Sequence, residues 1–268
     1  MSFKTGKVAV NDFEMQYLRF GEGEKTLVIL PGLSVQSVIT SAALIEKQYE
    51  VFKEEFTVYL FDRRENLPES YSINAMASDT AEAMTALGIE NACVFGTSQG
   101  GMIAMLIAAE YPKLVSALAL GSTACKMENS RFAAVEKWIA FAKEGKREEL
   151  YLSFGELLYS EELFNKYEGA LRQISKTVTE SDLKRFVILA SALKDFDISE
   201  KVKSIKCPVL AIGDISDALL GDRAADDIAA AMKNNQLFEL YNYDGFGHAV
   251  YDVAPDYQKR LYDYFISK

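Results

Sequence analysis

The chain has 268 residues, 49% of them hydrophobic and 25% charged, and 39 acidic against 29 basic side chains leave a formal net charge of -10. These proportions are those of a globular protein with a sizeable core and exclude a fibre or a disordered polymer. The charge excludes attraction to a phosphate backbone or an anionic membrane surface, so neither nucleic acid nor membrane is expected as a partner.

Residues 7–10 and 13–20 read as a hairpin, followed by the short apolar run Leu27-Val28-Ile29-Leu30, a pattern suited to a strand buried on both faces. Pro31-Gly32 ends that run, and a helical stretch over 37–55 precedes a strand over 57–61 with Asp62-Arg63-Arg64 at its carboxyl end. A helix over 74–87 closes on Gly88. Strand 92–95, apolar helix 102–111 and strand 115–120 continue the alternation, which implies right-handed crossovers and a mostly parallel sheet with helices on both faces. From about 122 to 204 only helical periods appear, over 132–143, 148–158, 161–174 and 181–193. This block carries Trp138, Phe141, Tyr151, Phe154, Tyr159, Phe164, Tyr167 and Phe186, mostly as its own core, with a few expected to face a substrate. Sheet logic resumes with strand 208–212, helix 223–232, strand 236–241 and a last helix ending near Ile266. The division is thus a core of 1–121 and 205–268 with a helical insertion over 122–204.

Three cysteines without CxxC spacing and a single histidine argue against a disulfide framework or a zinc site, and no carboxylate-rich cation loop is recognisable. No metal and no cofactor is expected. The start of the chain offers no leader-like apolar region and no stretch long enough to span a bilayer, which points to a cytoplasmic protein. No residue pattern sets monomer against homo-oligomer.

The chemistry concentrates in Gly96-Thr97-Ser98-Gln99-Gly100. The pattern GxSxG is weak alone, but here it follows a buried strand and opens an apolar helix, the turn that holds a strained, exposed nucleophile. A serine hydroxyl needs an adjacent base, and His248, in the loop between the last strand and the last helix, is the single imidazole. The carboxylate that orients it belongs between the two in sequence, beyond a strand's end. Gly213-Asp214-Ile215-Ser216-Asp217 offers two aspartates; Asp217, deeper in the loop, is favoured, with Asp214 the alternative.

Taken with Leu30-Pro31-Gly32-Leu33 and Gly247-His248, these residues make the chain resemble the α/β-hydrolase superfamily, in its serine-nucleophile branch with a helical cap. The resemblance implies a central sheet of about eight strands, a cap or lid over the site, and an oxyanion hole formed by the backbone N–H groups of Leu33 and Gln99. It departs from the common pattern at Pro31, at Glu65-Asn66 after the two arginines, and in a longer acid loop. The expected function is a carboxylesterase-like serine hydrolase that cleaves a small, partly apolar ester through an acyl-enzyme. An acyltransferase, a cofactor-free perhydrolase or a carbon–carbon bond hydrolase shares the triad, and a ligand-binding protein that kept the shell is the non-enzymatic alternative. Arg63 and Arg64 suit either an anionic substrate group or a structural role at the sheet edge.

Overall fold

The computed structural model describes residues 3–268. Strands β1 (Phe3–Val10) and β2 (Phe13–Phe20) form an antiparallel hairpin, turned by Asn11 at a φ of 46°, a left-handed conformation that asparagine tolerates. β2 then pairs antiparallel with β4 (Phe56–Arg64), and from β4 onward every pairing is parallel, through β3 (Lys25–Leu30), β5 (Ala92–Thr97), β6 (Val115–Gly121), β7 (Val209–Asp214) and β8 (Phe238–Tyr243). The eight strands lie in the order β1-β2-β4-β3-β5-β6-β7-β8. β5, at the centre, is buried along its whole length because both faces of the sheet are covered.

Helices α1 (Ala42–Gln48) and α10 (Tyr257–Ile266) cover one face, where Phe52, Phe56, Phe95, Tyr257 and Phe265 pack together. On the other face lie α2 (Ile73–Ala86), α3 (Gln99–Glu110) and α8 (Ala224–Ala231), joined through Met76, Met84, Ile103, Leu106 and Ile228. α3 is apolar on all sides and buried from Gln99 through Ala108, as a helix threaded through a core must be.

Between β6 and β7 the chain forms four helices: α4 (Asn129–Lys143), α5 (Arg147–Leu158), α6 (Glu161–Ser175) and α7 (Glu180–Ser191). α4 packs on α7 and α5 on α6. The Trp138 and Phe154 rings meet at 4.5 Å and Phe154 meets Phe186 at 6.2 Å, which ties α4, α5 and α7 into one cluster. A capping box between Thr179 and Asp182 starts α7.

Three stretches differ from the pattern expected of the sequence. The helical stretch over 37–55 is broken into a 3-10 turn at Val38–Ser41, α1, and a second 3-10 turn at Glu50–Phe52. The Tyr49 ring, drawn into the core against Phe52 and Phe95, leaves helical backbone geometry to get there. β4 runs on through Asp62-Arg63-Arg64, because Arg64 pairs with Met15 across a bulge in β2. The final helix is divided into α9 (Val250–Val253) and α10, since Pro255 has no N–H to continue the first of them. Among the described residues no helix is long and apolar enough to cross a membrane.

Candidate active site

Ser98 sits between β5 and α3 with φ 49° and ψ -122°, a conformation that costs a non-glycine residue on the order of 1–3 kcal/mol. The surrounding contacts leave it no alternative. Its N–H donates to the Gly121 carbonyl at 2.9 Å, and its own carbonyl accepts from Thr123 Oγ1 at 2.7 Å. The tightness of the turn explains the flanking glycines: a Cβ on Gly96 would stand 2.4 Å from the Gly100 carbonyl oxygen, and one on Gly100 would stand 2.0 Å from that of Leu30. Both clashes are with backbone, which cannot step aside.

His248 follows Gly247, whose φ of +84° turns the loop back onto the helical segment. Two backbone bonds hold it there: Ala249 N–H to the Leu158 carbonyl at 2.8 Å, and Ser160 N–H to the Phe246 carbonyl at 3.3 Å. The imidazole is 1% exposed. Its Nε2 lies 3.0 Å from Ser98 Oγ and its Nδ1 lies 2.8 Å from Asp217 Oδ2.

Asp217 Oδ1 accepts the backbone N–H groups of Leu219 and Leu220 at 2.9 and 2.8 Å. An ionised carboxylate only accepts, so Nδ1 carries the imidazole proton and Nε2 is left as an acceptor facing the serine hydroxyl. Asp214 faces elsewhere. Its two oxygens accept from the N–H of Ser216 at 2.7 Å and of Phe246 at 3.0 Å, so it ties the acid loop to the histidine loop without touching the imidazole.

The backbone N–H groups of Leu33 and Gln99 find no acceptor among the described residues, and Leu33 and Ser98 line the same chamber. The Gln99 side chain is fully buried and holds this region to α7, with Nε2 donating to the Leu189 carbonyl at 2.8 Å. Behind it, Arg63 donates to the Pro31 carbonyl at 2.8 Å and to Gln99 Oε1 at 3.3 Å. Burial pushes the Arg63 guanidinium down to about 10, against the pull of Asp62, so it stays charged at neutral pH. A second tie to α7 is the ion pair between Arg185 and Asp62. Arg64 reaches Asp12 and Asp79 and lies over the Phe13 ring. Neither arginine lines the cavity at Ser98, so both serve the framework rather than an anionic ligand.

Ser98 and His248 open into a small apolar chamber of about 30 Å³, walled by Met102, Met127, Val135, Trp138, Leu193 and Leu219 among others. A wider cleft of about 360 Å³ adjoins it, sharing Gly32, Leu33, Phe154, Leu158 and Tyr251. Of the aromatics in the helical segment, Trp138 and Phe154 face the chamber and Tyr151, Phe154 and Tyr159 face the cleft, while Phe186 is buried as core. Sequence reasoning did not single out Thr123, which holds the Ser98 carbonyl, or Tyr49, Tyr251 and Asp252, which line the cleft. The last two had a signal: three and four residues after His248, they fall on the turn that succeeds it. Among the described residues no group of three or more His, Cys, Asp or Glu side chains is placed to hold a metal.

The family model for the alpha/beta hydrolase fold matches residues 25–255. The chain therefore belongs to the α/β-hydrolase superfamily and is a hydrolase of that fold. It is similar to the putative carbamate hydrolase RutD of Escherichia coli O81 (strain ED1a), with 26% identity over 221 residues, 78% of this chain and 80% of that one. It is also similar to the serine hydrolase BPHL of Mus musculus, 29% identical over 120 residues that span 41% of this chain and 40% of the relative. Two solved structures share the fold across 97% of this chain. One is MGS-M2, an alpha/beta hydrolase enzyme from a Medee basin deep-sea metagenome library, with TM-score 0.86, 20% identity and 97% of its own chain covered. The other is the enol-lactonase from Burkholderia xenovorans LB400, with TM-score 0.84, 18% identity and 100% covered.

Proposed function

We propose that the protein is a serine hydrolase that cleaves small, partly apolar esters through an acyl-enzyme, with Ser98 as nucleophile, His248 as base and Asp217 as the carboxylate that orients it. The observation that carries this reading is the continuous chain of hydrogen bonds from Ser98 Oγ to His248 Nε2 and from His248 Nδ1 to Asp217. Ser98 Oγ attacks the ester carbonyl as His248 Nε2 takes its proton, and Asp217 stabilises the imidazolium that results. The oxyanion accepts hydrogen bonds from Leu33 and Gln99 N–H, each worth roughly 3 kcal/mol because the charge appears only in the transition state. Collapse expels the alcohol with the proton held on Nε2, and water repeats the sequence on the acyl group.

Helices α4 to α7, over 122–204, act as a cap on the core of 1–121 and 205–268. The walls that Met127, Val135, Trp138 and Leu193 contribute to the chamber support this division. Both relatives are named as hydrolases, one of them a serine hydrolase, in keeping with an acyl-transfer site. The small size and apolar walls of the chamber favour hydrolysis of a short acyl group. The test is to mix the protein with p-nitrophenyl acetate, quench in acid and map the adduct by mass. A burst of nitrophenol with an acetyl group on Ser98 is the expected result; turnover that S98A retains at the wild-type rate refutes the mechanism.

A further inference from the structure

The wide cleft beside the Ser98 chamber has one charged side chain among the described residues of its lining, and that side chain is acidic. Asp252 stands open to the cleft, accepts a hydrogen bond from Gln48 Nε2 at 3.1 Å, and forms an ion pair with no lysine, arginine or histidine among the described residues. Around it are Tyr49, Tyr159 and Tyr251, whose hydroxyls have no hydrogen-bond partner among the described residues. The Asp252 charge reaches all three phenols and adds to burial in holding them protonated. Crowding by the cleft walls raises the Asp252 carboxyl to about 6, against the Gln48 hydrogen bond and the pull of the His248 imidazole, so it is ionised at neutral pH.

A lone carboxylate set among tyrosine rings, in a chain that carries a net charge of -10, is an environment that attracts and holds a cation. The position of α9 says which half of an ester lies there. His248 must hand its proton to the leaving oxygen, and Tyr251 and Asp252, three and four residues after it on the following turn, line the cleft, whereas the small apolar chamber at Ser98 suits a short acyl group.

We propose that this cleft binds a cationic leaving group, an alcohol bearing an ammonium group, with Asp252 as its counter-charge and Tyr49, Tyr159 and Tyr251 around it. The inference rests on Ser98 hydrolysing an ester and names the class of ester.

The experiment has two arms on the full chain. In the first, kcat/KM at low ionic strength is compared for acetylcholine, for its neutral isostere 3,3-dimethylbutyl acetate, and for an acetate ester whose alcohol carries a carboxylate. The wild type should favour the cation over the isostere by about tenfold, a cation–carboxylate and cation–π preference of ordinary size, and should turn over the anionic ester more slowly than either. In D252N, checked for folding by circular dichroism, the ratio of cation to isostere should fall to near one. A wild-type ratio of one or below, or a ratio unchanged in D252N, overturns the proposal. In the second arm, calorimetry measures choline against 3,3-dimethylbutanol without any turnover. Choline should bind the wild type about tenfold more tightly than the neutral alcohol and lose that advantage in D252N; equal binding overturns the proposal. Should no ester be turned over at all, the Ser98 mechanism fails, and the binding arm still decides whether the cleft is a cation site.

Discussion

Replacing Asp217 by asparagine changes one heavy atom in the site, and the hydrogen bonds around it fix the consequence for the imidazole. Oδ1 of Asp217 accepts two backbone N–H groups, from Leu219 and Leu220. An amide nitrogen placed there would face two donors, so the substituted side chain keeps its oxygen at that position and turns its NH2 toward His248 Nδ1. The ring must then accept at Nδ1 and carry its proton on Nε2, which points that proton at Ser98 Oγ and removes the base. A wrong tautomer of this kind lowers kcat by about 10⁴, or about 5.5 kcal/mol in the barrier, with the fold intact. In D214N, by contrast, one of the two backbone bonds made by Asp214 is lost, so stability falls by about 1–3 kcal/mol and kcat stays within about tenfold. Steady-state turnover of p-nitrophenyl acetate together with thermal melts separates the two variants. If D217N keeps more than a tenth of wild-type kcat while D214N abolishes it, the acid is Asp214 and the tautomer argument falls.

Four further outcomes are set by the same geometry. G100A forces a Cβ against the Leu30 carbonyl oxygen, 2.0 Å away, and should lower the free energy of unfolding by about 3 kcal/mol in a denaturant melt; a melt like that of wild type refutes the reason given for the glycine. R185M strips Asp62, which is 5% exposed, of its partner across the contact between α7 and β4, and about 3 kcal/mol of stability should go with it, to be recovered in part by the double variant D62N/R185M. Esters of acids up to about four carbons should be turned over at least about tenfold faster than octanoate, because a longer chain outgrows the small apolar chamber at Ser98 and competes with the alcohol for the adjoining cleft; a flat chain-length series contradicts that. Asp252 is held above its ordinary value, so its ionisation disfavours the folded state above pH 6, and the penalty fades as pH falls toward 4. D252N should therefore raise Tm at pH 8 and raise it less at pH 5; an equal gain at both values would place the effect elsewhere.

The meeting of Ser98 and His248 was legible in the sequence because local signals agree with chain order. A buried strand, a glycine-flanked serine and an apolar helix leave one arrangement for the turn, and the single imidazole of the sequence comes to lie beside it. The choice between Asp214 and Asp217 was harder. Both lie where β7 ends, and only the loop's own backbone bonds decide which carboxylate turns toward the ring. Arg63 was ambiguous for a different reason. The antiparallel pairing of β4 with β2 carries the strand past Asp62, and that pairing with a distant segment buries the guanidinium behind Pro31 and Gln99. The cleft was the least legible of all, since Tyr49, Tyr159 and Asp252 come from parts of the chain that meet only once α1, the end of α5 and α9 are in place. Within 37–55 the apolar spacing suggested one helix, but the demand of the core for the Tyr49 and Phe52 rings outweighed local preference.

The central claim, that Ser98 is a nucleophile activated by His248, is met most directly by a fluorophosphonate probe, with the adduct located by mass mapping. Wild type should be labelled stoichiometrically on Ser98, S98A should not react, and H248A should react at least about a hundredfold more slowly, the share that a positioned base contributes. A folded wild-type protein that resists the probe, or an S98A variant labelled as fast as wild type, would contradict it.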